Sequence, residues 1–220
     1  MQNYKLEPID MSIPEITEAE RERFADLLFE IGAIKFGAFR LKLHETRPDA
    51  PLSPIYVNFR LLRSYPLALA YACTLLQKLT RPLHFDLLAD IPTAATPIVA
   101  VLAYMTGYPM ISPRQVSKSY GLGVEIDGDY QPGQTALLID DLVSQADSKL
   151  EALAKLGAAG LHVTDLMMLL DRQQGGKALL EAQGYRVHLI ATIEDLLRRY
   201  RETNAINSVR YQEVMAYLEL

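Results

Sequence analysis

Two adjacent acidic residues follow an apolar stretch in the middle of the chain, where residues 135–148 read TALLIDDLVSQADS. The apolar part predicts a strand over Thr135–Ile139, with Asp140 and Asp141 at its carboxyl end. Paired carboxylates in such a place accept hydrogen bonds from hydroxyl groups, including those of a sugar. The alternative is that the two acidic residues only end a strand and begin a turn.

The residues after this acidic pair predict the start of a helix. Ser148 and Glu151 have the spacing of a capping box, so the polar loop 144–147 leads into a helix over residues 148–157. Free N–H groups and the helix dipole attract a phosphate at such an end. Together, the carboxylates and the helix start predict a sugar-phosphate site.

Short apolar strands alternate with helices from residue 85 onward. The strands are Phe85–Ile91, Pro109–Ser112, Thr135–Ile139, His162–Leu170 and Arg186–Ala191, and the helices are 96–106, 148–157, 177–183 and 193–202. Several strands lack polar alternation, as expected when helices cover both faces of a parallel sheet. We predict an α/β fold with a doubly wound, mostly parallel sheet, whose ligands bind beyond the carboxyl ends of the strands.

The N-terminal part of the chain differs from this pattern. A capping box of Thr17 and Glu20 predicts a helix, and an extended segment follows over residues 53–60. We predict a small helix-and-strand hood over residues 1–62 and a core domain over residues 63–220. Within the core, residues 113–134 form the longest stretch without regular pattern, which is typical of a functional loop. The segment Ser208–Leu218 predicts a final short helix.

The composition limits the classes of function. Half of the residues are hydrophobic and the formal net charge is −5, which argues against broad nucleic-acid binding. We expect neither a signal peptide nor a membrane span, because no apolar run approaches about 18 residues. Cys73 is the only cysteine and is expected in the core, so a reducing cytoplasm is the expected location. The four histidines have no metal-ligand spacing.

Further segments show a resemblance to a known family. Residues 135–148 resemble the signature for phosphoribosyl diphosphate (PRPP) of type I phosphoribosyltransferases, and the rest narrows the likeness to orotate phosphoribosyltransferases. The similar segments are GAFRLK (37–42) with SPIY (53–56), the strand and loop 86–97, RQVSKSYG (114–121) and LDRQQGG (170–176). The likeness covers about residues 22–200, with an insertion over His44–Leu52.

The resemblance implies transfer of phosphoribosyl from PRPP to orotate in a homodimer, with Mg²⁺ carried by PRPP. The residues implied for PRPP are Asp140, Asp141, Ser144, Gln145, Ala146, Asp147, Ser148, Lys42 and Thr93. Those implied for the base are Arg172, Tyr56 and Lys42, and those for catalysis are Lys118, Arg114 and Asp141. The acidic pair would hold the ribose hydroxyls and the loop the 5′-phosphate. Lys118 and Arg114 would cover the pyrophosphate of a neighbouring subunit.

Each of these side chains also has a simpler interpretation. Arg172 could pair with Asp171 or another nearby acidic residue, and Lys118 could be a solvated loop charge. Lys42 could protect a strand edge, and Tyr56 could serve packing alone.

Two residues of the phosphate loop depart from the family pattern. Ala146 stands where glycine would allow a positive φ, and Asp147 places a negative charge beside the expected phosphate. We therefore consider an active orotate phosphoribosyltransferase alongside a weak or inactive protein that binds a nucleotide or pyrimidine and has a regulatory role. A transferase that uses another base is a further alternative.

Overall fold

A computed structural model of the chain describes residues 9–12, 15–41, 43–114 and 125–218. The helices are α1 (Glu18–Glu30), α2 (Leu43–Thr46), α3 (Pro66–Thr80), α4 (Thr96–Thr106), α5 (Asp147–Ala158), α6 (Gly176–Ala182), α7 (Ile193–Glu202) and α8 (Ser208–Leu218), with a 3-10 helix over Phe59–Ser64. The strands are β1 (Ile34–Phe39), β2 (Ser53–Val57), β3 (Leu87–Asp90), β4 (Met110–Pro113), β5 (Ile126–Asp127), β6 (Ala136–Val143), β7 (Asp165–Asp171) and β8 (Arg186–Thr192).

The central sheet has six strands in the order β5-β4-β3-β6-β7-β8. Its pairs from β4 to β8 are parallel, and only β5 is antiparallel to its neighbour. The predicted mostly parallel α/β sheet is therefore confirmed. One detail was wrong, because β5 lies within residues 113–134, where no regular element was expected. A strand of two residues is too short to give a periodic pattern.

The apolar side chains of the strands separate into two clusters. Leu137 and Ile139 of β6 belong to a cluster that also contains residues of α1, α3, α4, α7 and α8. Ala136 and Leu138 belong to a second cluster with residues of α5 and α6. Because successive side chains of a strand point to opposite faces, these clusters lie on the two sides of the sheet. Helices on both faces explain why the strands show no polar alternation.

The hood strands β1 and β2 form a separate antiparallel pair, with a register shift between Phe36 and Phe39. Within the insertion between them, the buried His44 contacts backbone atoms of Leu41 and Ala50 through its two ring nitrogens. The division of the chain at residue 62 stays a prediction.

Several local predictions are confirmed. The Thr17–Glu20 capping box begins α1, and the helices predicted over 96–106, 193–202 and Ser208–Leu218 have those bounds. Cys73 is fully buried, and burial raises the pKa of its thiol to about 12. In the part of the chain that the structure describes, no helix has the length and apolar character that a membrane span needs.

Two predictions around the acidic pair were wrong. The strand β6 does not end before Asp140 but continues to Val143. The helix α5 begins at Asp147 with Ala146 as its N-cap, and no side chain caps it, so Ser148 does not open a capping box. The helix starts early because the Ala146 carbonyl already accepts hydrogen bonds from the N–H groups of Lys149 and Leu150, at 2.9 and 3.0 Å.

Candidate active site

Asp140 is a buried carboxylate with fixed partners. Its Oδ2 lies 2.6 Å from Nζ of Lys149, and its Oδ1 accepts the backbone N–H of Asp141 at 2.8 Å. Lys149 is only 5% exposed and also donates to the carbonyl oxygen of Leu142. Sequence reasoning missed this lysine, although it is the one cation in the polar start of α5.

Asp141 is the more exposed member of the pair. Its Oδ1 accepts the N–H of Leu142 at 2.8 Å. Burial raises the pKa of Asp141 to about 7, the charge of Asp140 adds to this effect, and Lys149 opposes it. The ionised form of this carboxyl is therefore disfavoured relative to that of a free aspartate.

Residues 144–146 connect β6 to α5, and the predicted segment Ser144–Ser148 also includes the first two residues of the helix. Ala146 adopts the left-handed conformation with φ 51° and ψ −7°, although alanine disfavours it. The loop thus has the backbone shape that glycine provides more easily. Asp147 and Ser148 are exposed in the first turn of α5.

Arg172 follows β7 and lies beside this loop. Its backbone N–H donates to the Val143 carbonyl at 2.9 Å, and its side chain is buried. Among the described residues, its Nε and Nη2 have no hydrogen-bond partner. The expected alternative of an ion pair with Asp171 is absent there, since Asp171 Oδ1 instead accepts the N–H of Gln173 at 2.7 Å. Burial lowers the pKa of Arg172, an effect that nearby Tyr217 on α8 opposes.

Gly176 joins the Arg172 segment to the phosphate loop. Its N–H donates to the Ser144 carbonyl at 2.8 Å. A Cβ at this position would lie 2.5 Å from Ser144 O and 2.9 Å from Ala146 N, so only glycine fits without displacement. Sequence reasoning quoted the glycine within its motif but assigned it no role, since a contact between two distant loops leaves no local pattern.

Two further predicted residues lie at the margins of this edge. Thr93 is exposed in the turn after β3, and its carbonyl accepts from Nη2 of Arg63 at 3.1 Å. Tyr56 on β2 packs its ring against Phe39, with centroids 5.5 Å apart. This contact fits the packing alternative for Tyr56. Helix α8 packs against β2, and Tyr217 of α8 lies near Arg172.

The predicted cations are less fully placed. The guanidinium of Arg114 forms an ion pair with Asp127 on β5, and its Nε lies 2.9 Å from Oδ2 of that residue. The carbonyl of Arg114 accepts from Nζ of Lys155 at 2.7 Å. Lys118 and Lys42 lie outside the described residues.

A third acid lies beneath the acidic pair. Asp90 ends β3 and is fully buried, with Oδ2 accepting the Thr96 hydroxyl and Oδ1 without a partner among the described residues. Burial raises its pKa despite hydrogen bonds from Ser112 and Thr96, and the charge of Asp140 also raises it. Across the ranges that the structure describes, no group of three or more His, Cys, Asp or Glu residues is placed to hold a metal ion.

A cavity of about 340 Å³ lies elsewhere, between α1, α7 and β8. Its lining includes Arg21, Arg198 and Arg199 but none of the predicted site residues. The Arg21 guanidinium there donates to the Ile190 carbonyl at 2.9 Å, which covers part of the edge of β8. The cavity lies at the end of the edge strand β8, two strands away from β6, which carries the acidic pair.

Comparison with known proteins places this arrangement in a fold class. The UMP synthase structure from Leishmania donovani superposes with a TM-score of 0.82 and 34% identity, covering 92% of this chain and 43% of that one. A mostly parallel sheet with a two-stranded hood and an acidic pair before a helix start is the type I phosphoribosyltransferase fold. The sequence matches no protein-family model.

Curated relatives then define the family. The orotate phosphoribosyltransferase of Methanopyrus kandleri is 36% identical over 177 residues, covering 80% of this chain and 91% of the relative. The uridine 5′-monophosphate synthase of Bos taurus is 31% identical over 194 residues, covering 87% of this chain but only 39% of the relative. This chain belongs to the orotate phosphoribosyltransferase family, as the resemblance predicted. It spans less than half the length of the longer UMP synthases.

Proposed function

We propose that this chain is an orotate phosphoribosyltransferase. It transfers phosphoribosyl from PRPP to orotate and releases orotidine monophosphate and pyrophosphate, a step of pyrimidine nucleotide synthesis. One observation carries the proposal beyond family membership: Arg172 is a buried guanidinium whose Nε and Nη2 have no partner among the described residues. A buried cation of this kind suits a planar anionic ligand such as orotate, because its donors form a fork.

The carboxyl edge supplies the groups for PRPP. Asp141 accepts hydrogen bonds from the ribose hydroxyls, with Asp140 beside it. The N–H groups of the loop Ser144–Ser148 hold the 5′-phosphate at the start of α5, where the helix dipole favours negative charge. Thr93, in the turn after β3, contacts the diphosphate side. These assignments rest on position and chemistry.

Charge grows on the pyrophosphate as it leaves, so cations near it lower the barrier. Arg114, Lys118 and Lys42 have this role in our proposal, with Arg114 and Lys118 reaching the site of a neighbouring subunit in a homodimer. Arg114 must then exchange its ion pair with Asp127 for the pyrophosphate. Tyr56 covers the base from the hood. Loop closure excludes water, which competes with orotate as nucleophile.

Mg²⁺ accompanies PRPP in this proposal. In the ranges that the structure describes, no group of three or more His, Cys, Asp or Glu residues is placed to hold a metal ion. The diphosphate of PRPP and water would supply the ligands of Mg²⁺, which takes most of its ligands from substrate phosphates and water. The bound ion would neutralise diphosphate charge. The single buried cysteine supports a reducing cytoplasm as the place of action.

The test is an orotate-consumption assay with purified protein, PRPP and Mg²⁺. Arg172→Ala removes the charged hydrogen bonds that we propose between its guanidinium and orotate. It should lower kcat/KM for orotate by about 10- to 100-fold while PRPP still binds. Arg198→Ala, which removes an exposed arginine paired with Glu18 and Asp195, is the matched control and should be unaffected. Wild-type protein that binds PRPP without consuming orotate would refute the proposal. Uracil in place of orotate tests the alternative of another base.

A further inference from the structure

The buried amine of Lys149 joins two parts of the candidate site. Its Nζ contacts Asp140 Oδ2 at 2.6 Å, donates to the Leu142 carbonyl and lies 3.4 Å from the Ser148 hydroxyl. Its backbone N–H donates to Ala146 O at 2.9 Å. A buried charge is stable only when it is paired and hydrogen-bonded, so these contacts hold the Lys149 side chain in one position. Lys149 therefore connects the acidic pair to the phosphate loop.

The two carboxylates of the pair are not equivalent. Asp140 and Asp141 both lie within β6 but differ in exposure, since Asp140 is only 5% exposed and Asp141 is half-buried. Asp140 lies on the α5 side, where Lys149 binds Oδ2 and the Asp141 N–H binds Oδ1. Because Asp140 is only 5% exposed, little of its carboxylate surface is open to a sugar hydroxyl.

Resting on the proposed function, we propose that Lys149 is a positioning residue of the PRPP site. It holds Asp140 and the end of β6 in place, so that Asp140 is structural and Asp141 is the acceptor of the ribose hydroxyls. This division replaces the expectation that both carboxylates bind ribose. Lys149 itself contacts no substrate in this proposal and acts through the acidic pair.

The charges around Asp141 make the proposal measurable. Asp140 disfavours the ionised form of Asp141 and Lys149 favours it. From β3, the buried Asp90 faces Asp140, with Thr96 of α4 and Ser112 of β4 as its hydrogen-bond partners. On β7, the residues paired with Asp140 and Leu142 are the apolar Met168 and Leu170, and Asp171 is paired with Val143 at the strand end. Lys149 is thus the only described cation identified as acting on the ionisation of Asp141.

The first experiment replaces Lys149 by methionine, which is similar in length but uncharged. PRPP binding with Mg²⁺ is measured by calorimetry between pH 5.5 and 9, a range of about three units around neutrality. In Lys149→Met, PRPP affinity at neutral pH should fall about tenfold. PRPP affinity should decline toward low pH as Asp141 becomes protonated. The pH at which this decline occurs should rise by about one unit in Lys149→Met, because the cation that favours ionised Asp141 is gone. Lys177→Met, which removes an exposed ion pair with Glu181, should match wild type.

A second variant separates positioning from folding. Lys149→Met leaves Asp140 buried without its cation, whereas Asp140→Asn combined with Lys149→Met removes both charges of this buried pair. The double variant should regain thermal stability and bind PRPP better than Lys149→Met. Asp141→Asn should stay folded but lose PRPP affinity by about 10- to 100-fold.

Two outcomes would overturn the inference. One is an unchanged pH dependence of PRPP binding in Lys149→Met. The other is a folded double variant that loses PRPP as completely as Asp141→Asn. In both cases wild type still binds PRPP, so the proposed function stands. Wild type that binds no PRPP at any pH would overturn the proposed function and this inference together.

Discussion

At the scale of single residues, Ala146 shows two effects of similar size. The left-handed conformation costs an alanine roughly 1–2 kcal/mol, while its buried methyl group contributes about 0.8 kcal/mol to stability. A glycine would also lose more chain entropy on folding, by roughly 0.5–1 kcal/mol. These opposing terms nearly cancel, so the absence of glycine does not prevent the loop from adopting a phosphate-binding shape.

Asp147 is the residue for which the sequence predicts weaker PRPP binding, and the structure leaves its side chain exposed. Like charges about 4 Å apart repel by about 1 kcal/mol in water. We therefore expect Asp147→Asn to lower the KM for PRPP by about fivefold with little change in kcat. Steady-state kinetics at low salt measures this effect.

The matched control for this prediction lies one turn further along α5. Glu151→Gln removes an equal charge and an exposed ion pair with Lys155, and its KM for PRPP should equal that of wild type. An equal decrease in both variants would show that the net charge of the helix matters rather than the position of Asp147.

At the scale of elements, Gly176 at the start of α6 packs directly against the phosphate loop, with its N–H 2.8 Å from Ser144 O. In Gly176→Ala the new methyl group meets Ser144 O at 2.5 Å, so the loop must move. We expect the KM for PRPP to rise at least about tenfold, and the melting temperature to fall, as typical for overpacking of about 1–3 kcal/mol.

Gly157→Ala on α5 is the comparison for this variant. A Cβ there meets nothing within 4 Å, and alanine favours a helix over glycine by about 1 kcal/mol. This variant should be at least as stable as wild type and bind PRPP equally well. A normal KM in Gly176→Ala would mean that the loop yields without loss of function.

Elements with strong local signals were predictable from the sequence. Thr192 is the N-cap of α7 and forms a capping box, and Gly107 caps the end of α4 in the left-handed conformation. In both helices the apolar periodicity and the end signals of the sequence agree. The end of β6 was not predictable, because its last residues pair with Leu170 and Asp171 of β7, far along the chain. Register with a distant neighbour leaves no local signal.

The candidate site shows the same division. The acidic pair, the phosphate loop and the Arg172 motif could be located from residue types and family resemblance. The role of Lys149 and the fit of Gly176 could not, because both depend on contacts between elements that meet only in the folded chain. The unpartnered Nε and Nη2 of Arg172 also required the structure, since a neighbouring Asp171 suggested a simple ion pair.

At the scale of the whole molecule, a second charged cluster stabilises the opposite end of the sheet. Asp165 at the start of β7 is buried and accepts hydrogen bonds from Arg186 at 2.6 and 2.8 Å, while His188 Nε2 lies 2.7 Å from its Oδ1. Burial alone would raise the pKa of Asp165, but hydrogen bonds from Arg186, His188 and Thr164 outweigh it and hold the pKa well below its usual range.

This cluster gives a prediction for stability against pH. Because the folded-state pKa of Asp165 is depressed, its contribution is present above the unfolded value of about 3.9 and is lost as the pH falls below it. Asp165→Asn should cost about 1–3 kcal/mol at neutral pH and weaken the loss of stability in acid. Urea unfolding at several pH values measures both, with the exposed Asp49→Asn as control. Equal acid sensitivity in Asp165→Asn and wild type would contradict the assignment.

The alternation of side chains along β6 also limits which insertions and deletions of residues the protein can tolerate. A net change of one residue within Ala136–Ile139 would exchange the faces of every later side chain in the strand. Asp141 would then face Lys149 in place of Asp140, and the apolar residues would turn toward the opposite layer of helices. Length changes are therefore expected in surface segments such as His44–Leu52, whereas this strand should change only by substitution.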